Sequence, residues 1–335
     1  MTVALVFAFS GLDILPELFS ATISLQKSGA FDLHSHIEWW ADDLLRLPLQ
    51  YSSHLTQLFW VPNHAAPGWW FALLTLLVVR DEIDIAVMLA SFAALLFWSP
   101  LAMMGAAPFI PLVCMQFGWR NFLTARLLCA IFAGSCFLPI ALYLISDAAS
   151  VPHGFLFGAH GFIAGYFFFI AIEIPQAGLV LLQWRKIEGP ERPALGLAIA
   201  LLLIIPLYQL GHANDFVMRA SITPLFLLAF SFARIVVLAP RDGGRLATAI
   251  STLIILTLPT PLFEVKRLVT PAFAISDCNM LTSWREIDGA RLPTNYWARP
   301  EKFPVWLMAR DSQPPLTLEA RQCWPDHPFG VKNEK

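Results

Sequence analysis

The chain has 335 residues, of which 57% are hydrophobic and only 14% are charged. Soluble globular domains have about 25% charged residues, so this composition excludes an ordinary soluble domain. The formal net charge is −2, which gives no reason to expect nucleic acid or another polyanion as a partner. The charged residues cluster between long apolar stretches, a pattern typical of a helical protein whose main partner is the lipid bilayer.

The apolar stretches predict an all-α protein with about nine membrane segments. A helix needs about 20 apolar residues to cross roughly 30 Å of hydrocarbon, because its backbone polar groups must be paired internally there. The Ser99–Pro100 step separates two of the shorter segments, since proline cannot continue a helix. In chain order the predicted segments are Val3–Phe19, Pro67–Val79, Ile85–Trp98, Ala106–Phe117, Phe122–Ile145, Phe155–Leu182, Ala194–Leu210, Ser221–Ala239 and Leu246–Phe263.

Charge in the loops predicts how these segments are oriented. The predicted organisation is a first membrane segment at 1–19, a loop at 20–66, a bundle of membrane helices at 67–263 and a tail at 264–335. Arg219 is the only basic residue in the short outer loops, whereas the inner flanks hold many. By the positive-inside rule, the loop and the tail face outwards from a bacterial inner membrane. No basic segment precedes the first apolar run, so we expect a C-terminal part of a longer protein.

The 20–66 loop contains a predicted helix at the membrane interface. Its apolar residues recur at i, i+3, i+4, i+7 and i+8, which makes one apolar face on a helix. These residues are Ile37, Trp40, Ala41, Leu44 and Leu45.

The tail is rich in proline and contains four tryptophans, which predicts a small irregular domain rather than disorder. A tail outside the membrane would allow a disulfide between Cys278 and Cys323. The other cysteines, Cys114, Cys129 and Cys136, lie in apolar segments as small packing residues.

Polar residues of the predicted interfacial helix are the first candidates for a site. His34, Glu38 and Asp42 are spaced by four residues and would share one helical face. Together with His36 and Asp43 they suit acid–base chemistry or a divalent metal. We take Glu38 and Asp42 as candidate catalytic residues. The alternative is that these groups form the hydrated face of an interfacial helix.

Two further sets of acidic residues lie in or near membrane segments. Asp13 and Glu17 are four residues apart, and Asp13 is the third candidate catalytic residue. The alternative is that both acids lie in water beyond the end of a shorter segment. Glu173 lies deep in an apolar segment, where it could pair with Gln176, be protonated or take part in proton movement.

Asp215 and Arg219 are the candidate phosphate-binding residues. Their i, i+4 spacing allows an ion pair on one helical turn. An arginine at the outer membrane edge suits a lipid phosphate, because its planar guanidinium binds phosphate through two hydrogen bonds. The alternative is a structural ion pair that caps the next segment.

Four stretches resemble bacterial multi-pass membrane proteins grouped with the GT-C type glycosyltransferases. They are residues 10–13 (SGLD), 36–40 (HIEWW), 51–63 (YSSHLTQLFWVPN) and 214–222 (NDFVMRASI). The resemblance implies a polyprenyl-phosphate-linked sugar donor and a base or metal-binding acid in the first extracytoplasmic loop. Asp13, or Glu38 with Asp42, would then serve as that acid, and Asp215 with Arg219 would position phosphate. The product would be a lipid-linked or envelope glycan.

Two other functions stay open from the sequence. One is a transport or permease component with Glu173 in a polar path, and the other is an inactive truncated membrane protein. The sequence has no Walker loop, dinucleotide-binding glycine motif, GxSxG or HExxH, so nothing supports ATP-driven transport or soluble-type cofactor chemistry.

Overall fold

The computed structural model describes residues 1–270 except Asp32, Ser35, 118–124, 188, 212 and 239–243. Beyond residue 270 it describes 276–279, 282, 283, 286, 302, 303, 319 and 323. Helices dominate this part of the chain, so the predicted all-α class is confirmed. The sheet found among these residues is a two-stranded antiparallel pair, β1 (His153–Phe155) with β2 (Tyr208–Leu210).

Seventeen α-helices follow one another along the described chain. They are α1 Thr2–Phe7, α2 Ile14–Ser28, α3 Trp40–Leu45, α4 His54–Trp60, α5 Pro62–Val79, α6 Ile85–Trp98, α7 Pro100–Ala106, α8 Phe109–Phe117, α9 Ala125–Ser135, α10 Leu138–Ile145, α11 Phe162–Glu173, α12 Pro175–Leu182, α13 Arg192–Ile204, α14 Asp215–Ala220, α15 Ile222–Leu238, α16 Arg245–Thr257 and α17 Pro259–Val269.

Proline sets many of the boundaries between these helices. Pro100, Pro139, Pro175 and Pro259 each stand in the first turn of a new helix. A proline fits there because the first-turn N–H groups have no partner within the helix, whereas inside a helix it would remove a hydrogen bond. The prolines therefore mark steps in the apolar stretches, and the helices change direction at the steps that contain Pro139 and Pro175.

The core is built around α15, whose first half is buried on nearly all sides. This helix packs against α1, α5, α12 and α13. Among the largest fully buried side chains are Phe71 of α5, Leu202 of α13 and Leu228 of α15. A single continuous apolar cluster thus joins helices from both halves of the described chain.

The predicted nine membrane segments are not supported. Among the described residues, one helical stretch is long and apolar enough to cross a membrane, Arg245–Val269, which comprises α16 and α17. The count rises to three if each of two bent helix pairs forms one crossing. In the first pair, Arg126–Ser135 and Leu138–Ser150 meet at a bend of 42°. In the second pair, Phe162–Glu173 and Pro175–Leu182 meet at a bend of 70°. The other predicted segments form shorter helices or divide at breaks, and so fall below the length that spans hydrocarbon.

The first predicted segment, Val3–Phe19, is also divided. The helices α1 and α2 are separated by residues 8–13, so the predicted segment is not one helix.

The predicted interfacial helix is shorter than expected, because Ile37–Trp39 is a 3₁₀ turn and only Trp40–Leu45 is α-helical. In the tail, Cys278 and Cys323 form the disulfide that the sequence left open. The four tail tryptophans lie outside the described residues.

Candidate functional site

Three distant parts of the chain line one pocket with a volume of about 410 Å³. They are residues 36–61, residues 213–219 and Arg267 of α17. We call this pocket the histidine pocket, after His36 in its wall. Polar, charged and aromatic side chains converge on it, which is the usual make-up of a ligand site.

His36 is held in the wall of the histidine pocket by residues of α17. Its Nδ1 lies 2.9 Å from Glu264 Oε1 and 2.5 Å from Arg267 Nη1. Nδ1 can donate to the carboxylate or accept from the guanidinium, but it cannot do both. If Nδ1 carries the proton, Nε2 is free to accept a proton, with the Gln50 amide nitrogen 3.3 Å away. A carboxylate behind an imidazole orients the ring in this way in many enzyme sites.

Glu264 of α17 is completely buried, although it is a charged residue of the apolar stretch Arg245–Val269. Its Oε2 accepts the indole N–H of Trp60 at 2.7 Å, and its Oε1 lies 3.1 Å from Arg267 Nη1. The Arg267 guanidinium also stacks 4.2 Å above the ring of Trp60. This set of contacts fixes the cation and the aromatic ring on one side of the pocket.

Glu38 lies directly behind the pocket wall and is fully buried. Its oxygens accept from Gln50 Nε2 at 3.0 Å, the Ser53 backbone N–H at 2.9 Å and Thr56 Oγ1 at 2.6 Å. Burial raises the pKa of Glu38 to about 7, and the nearby carboxylates of Asp13 and Glu264 add to the rise, whereas His36 and the bond from Thr56 act to lower it. Glu38 therefore exchanges its proton near neutral pH while two of its partners, Gln50 and Thr56, face the pocket.

The short helix α14 places Arg219 in the pocket. Arg219 Nη2 lies 2.9 Å from Asp215 Oδ1, so the predicted ion pair within one turn is confirmed. Asn214 starts this helix in the left-handed region at φ 52°, and its side-chain amide donates to the Pro48 carbonyl at 2.9 Å. At the other end, a Cβ on Gly105 would lie 1.9 Å from the Ala220 carbonyl oxygen, so only glycine permits α7 to pack so closely against α14.

Asp42, Trp39 and Trp60 also line the pocket. The side chain of Asp42 is exposed to solvent. Trp39 is 51% exposed, which is unusual for so large an apolar side chain and makes its ring available to a ligand. Two carboxylates, two tryptophan rings and two guanidinium groups therefore line the same cavity.

A second buried polar cluster contains Asp13 and Glu173. The indole N–H of Trp40 is shared between Asp13 Oδ1 at 3.1 Å and Glu173 Oε1 at 2.9 Å. Thr260 Oγ1 donates to Asp13 Oδ2 at 2.8 Å. Gln176 does not pair with Glu173, since its amide donates to the Ser10 carbonyl at 2.6 Å.

The predicted site residues are thus divided between two places. Asp42, Asp215 and Arg219 line the histidine pocket, and Glu38 lies behind its wall, whereas Asp13 belongs to the second cluster. The shared helical face predicted for His34, Glu38 and Asp42 is wrong, because His34 precedes the helical turn and Glu38 points inwards. The hydrated face proposed as the alternative is likewise wrong for Glu38.

Glu17 also differs from its prediction. It neither approaches Asp13 as a pair nor lies in water, since it is buried and its Oε1 accepts the backbone N–H of His34 at 2.6 Å. This contact ties α2 to the loop that carries His36.

Sequence reasoning missed Glu264 and Arg267, which it placed at the start of the tail. The one available signal was their i, i+3 spacing directly after an apolar helix, since charged residues there can continue the helix and pair. The metal suggested for the polar loop finds no support, because no group of three or more His, Cys, Asp or Glu side chains in the described part of the chain could hold a metal ion.

No protein-family model, no curated protein and no solved structure matches the chain.

Proposed function

We propose that this chain is a bacterial inner-membrane protein that transfers a sugar from a polyprenyl-phosphate-linked donor, with the histidine pocket as its active site. The observation that carries the proposal is that Arg219 and Arg267, 48 positions apart in the sequence, line one pocket together with Asp42, His36 and two tryptophans. The resemblance to GT-C type glycosyltransferases and the apolar helices beside the pocket point the same way.

The pocket contains the groups that such a reaction needs. The acceptor hydroxyl attacks the anomeric carbon while the bond from that carbon to the phosphate oxygen breaks. The hydroxyl proton passes to Asp42 or to His36 Nε2 as general base. The phosphate leaves with the bonding electrons, and its added negative charge is stabilised by the guanidinium groups of Arg219 and Arg267.

The tryptophans would let the pocket bind the sugar ring as well as the phosphate. A sugar ring has apolar C–H faces and polar edges, and an indole offers a large flat apolar surface with one N–H group. The exposed ring of Trp39 suits such a face, while Asp42 and Gln50 can bond to hydroxyl groups. A sugar phosphate would therefore meet aromatic, amide and cationic groups at once.

The test is complementation in a bacterial strain whose envelope glycan depends on the full-length protein. We expect Asp42→Asn combined with His36→Gln to abolish the glycan, and Arg219→Gln or Arg267→Gln to reduce it at least tenfold. Asp43→Asn and Arg126→Gln are the matched controls, because both residues are exposed and lie outside the pocket. Full glycan in the Asp42–His36 double variant, at normal protein level, would exclude the enzyme proposal.

Proton-coupled transport is the second candidate function. It is favoured by the position of Glu173, which is buried at the 70° bend between α11 and α12. Interrupted helices with buried polar groups at the break are common at the binding sites of secondary transporters. Proton flux into liposomes that contain the protein, lost in Glu173→Gln, would favour this function over sugar transfer.

A further inference from the structure

Two interrupted helices and one continuous helical stretch meet at one buried polar cluster. The interruptions lie between α1 and α2 and between α11 and α12, and the continuous stretch is Arg245–Val269, in which α16 passes into α17. The first interruption is joined to the second by the Leu12 N–H, which donates to the Ile172 carbonyl at 2.8 Å. It is joined to the continuous stretch by Ser10 Oγ, which donates to the Thr257 carbonyl at 2.8 Å. Asp13 and Glu173 lie at this junction and are 1% exposed each.

The two carboxyl groups lie close to one another without a cation. The single N–H of Trp40 reaches an oxygen of each, and the two groups are also within hydrogen-bonding distance of each other. No Arg, Lys or His in the described chain pairs with either acid. The other titratable groups that interact with Glu173 are Glu38, which adds a further negative charge when ionised, and Tyr51.

Two adjacent buried carboxylates cannot both be ionised without a large electrostatic cost. Hydrogen bonding decides which group holds the proton. Asp13 accepts from Thr260 and from Trp40, so both of its oxygens have donors. Glu173 accepts only from Trp40, through Oε1, and its Oε2 is a buried oxygen with no donor among the described residues. A proton on Glu173 would turn its carboxyl group into a donor, and the neighbouring Asp13 carboxylate would be its acceptor.

We propose that Asp13 and Glu173 form a proton-binding site that holds a single proton, carried by Glu173 and donated to Asp13. Loss of this proton would leave two negative charges in contact, and their repulsion would separate the helices that Trp40 and Thr260 hold together. The site thereby couples the binding of one proton to the arrangement of the helices that meet at this cluster. This inference does not depend on whether the histidine pocket transfers a sugar.

Infrared difference spectroscopy on the full chain in lipid nanodiscs tests the proposal. A protonated carboxyl group has a C=O stretching band that an ionised carboxylate lacks, and the band shifts in heavy water. The measurement is made above pH 8, where Glu38, with its pKa of about 7, is ionised. We expect one such band in the unaltered chain, its loss in Glu173→Gln, and its retention in Glu82→Gln, a control at an exposed glutamate. Absence of the band, or its survival in Glu173→Gln, would overturn the proposal.

A pair of stability measurements gives an independent test. Glutamine at position 173 keeps the shape and the donor of a protonated glutamate, so Glu173→Gln should leave the melting temperature almost unchanged. Asp13→Asn removes the charged acceptor to which Trp40, Thr260 and Glu173 donate hydrogen bonds. It should therefore lower the melting temperature several times as far as Glu173→Gln does. Equal losses, or a larger loss in Glu173→Gln, would contradict the assignment of the proton.

A last measurement tests whether the site binds sodium instead of a proton, since a monovalent cation could take the place of the proton. We expect the carboxyl band to be unaffected when sodium chloride replaces choline chloride at constant pH. Loss of the band on addition of sodium would show that the site binds a cation, and it would overturn the proton assignment.

Discussion

Two pockets at opposite ends of α5 use charge in different ways. The histidine pocket lies near the start of this 18-residue helix, where Val61 lines it, and a second pocket of about 260 Å³, here called the lysine pocket after Lys186, lies near its end, where Leu76 lines it. Val61 and Leu76 are about 22 Å apart by helical rise. In the lysine pocket, Glu191 lies between Arg80 at 2.5 Å and Arg234 at 3.1 Å, and the walls are largely apolar. In the histidine pocket, Glu38 is buried behind the wall and only neutral donors bond to it.

This difference separates acids that hold the fold together from acids that can exchange protons. A carboxylate between two guanidinium groups stays ionised at neutral pH and serves as a structural link. A buried carboxyl group with neutral donors changes its charge near neutral pH, which acid–base chemistry requires. We therefore expect the two pockets to respond differently to substitution and to pH.

The largest expected effect is at Glu264, whose side chain is fully buried between His36, Trp60 and Arg267. Glu264→Gln should lower the free energy of unfolding by about 4 kcal/mol, because Trp60 and His36 lose a buried charged acceptor and the partly buried guanidinium of Arg267 loses its ion-pair partner. Chemical unfolding in detergent measures the loss. A change below about 1 kcal/mol would mean that this charge pair contributes little to the stability of the histidine pocket.

The next effect is a pH dependence that has opposite signs in the two pockets. The pKa of Glu38 is raised from 4.5 to about 7, so its contribution to stability is complete below pH 4.5 and is lost as the pH rises to about 7. The loss amounts to about 3 kcal/mol, since each pKa unit corresponds to about 1.36 kcal/mol. Unfolding curves between pH 4 and pH 8 measure this, with Glu38→Gln as the variant in which the decline should disappear.

For Glu191, burial acts to raise the pKa, but the bonds and charges of Arg80 and Arg234 outweigh it and lower the pKa. The contribution of Glu191 to stability is therefore present at neutral pH, and it is lost as the pH falls below the ordinary pKa of a glutamate. Glu191→Gln should flatten the acid side of the same curves and leave the region from pH 4.5 to pH 7 unchanged. An effect of Glu191→Gln on that neutral region would contradict the distinction between the pockets.

The smallest effect is expected at the rim of the lysine pocket. Arg234 is 43% exposed at its side chain, and Glu191 keeps Arg80 when Arg234 is removed. Arg234→Gln should cost about 0.5 kcal/mol, comparable to other exposed ion pairs. Arg126→Gln, which removes an exposed pair with Asp84, is the control and should cost no more. A loss above about 2 kcal/mol at Arg234 would indicate a buried link of the kind found at Glu264.

Local features of this fold could be predicted from the sequence. The helical class, the break at Pro100 and the pairing of Asp215 with Arg219 depend on spacing within a few residues, which the sequence displays directly. The number of membrane segments could not be predicted in the same way. Apolar length is visible in a sequence, but whether a helix continues across a Pro step or bends there, as at Pro175, depends on tertiary contacts.

The histidine pocket itself depended on contacts that no local pattern shows. His36 and Glu264 are 228 positions apart, and their pairing follows from the packing of α4 against α17. Glu38 was predicted to share a helical face with His34 and Asp42, with a hydrated face as the alternative, because helical spacing was extended over residues 34–45. The 3₁₀ turn at Ile37–Trp39 has three residues per turn rather than 3.6, and this rotates Glu38 into the interior.

We propose that the histidine pocket, and not the lysine pocket, holds the polyprenyl-phosphate group. Photo-crosslinking with a polyprenyl phosphate that carries a photoreactive group close to the phosphate tests it directly, on the full chain in nanodiscs and with peptide mapping by mass spectrometry. We predict labelled peptides within residues 36–61 and 213–219, with at least tenfold less label in an Arg219→Gln, Arg267→Gln double variant. Label confined to the lysine pocket around Lys186 and Arg234, or equal label in the double variant, would contradict the account.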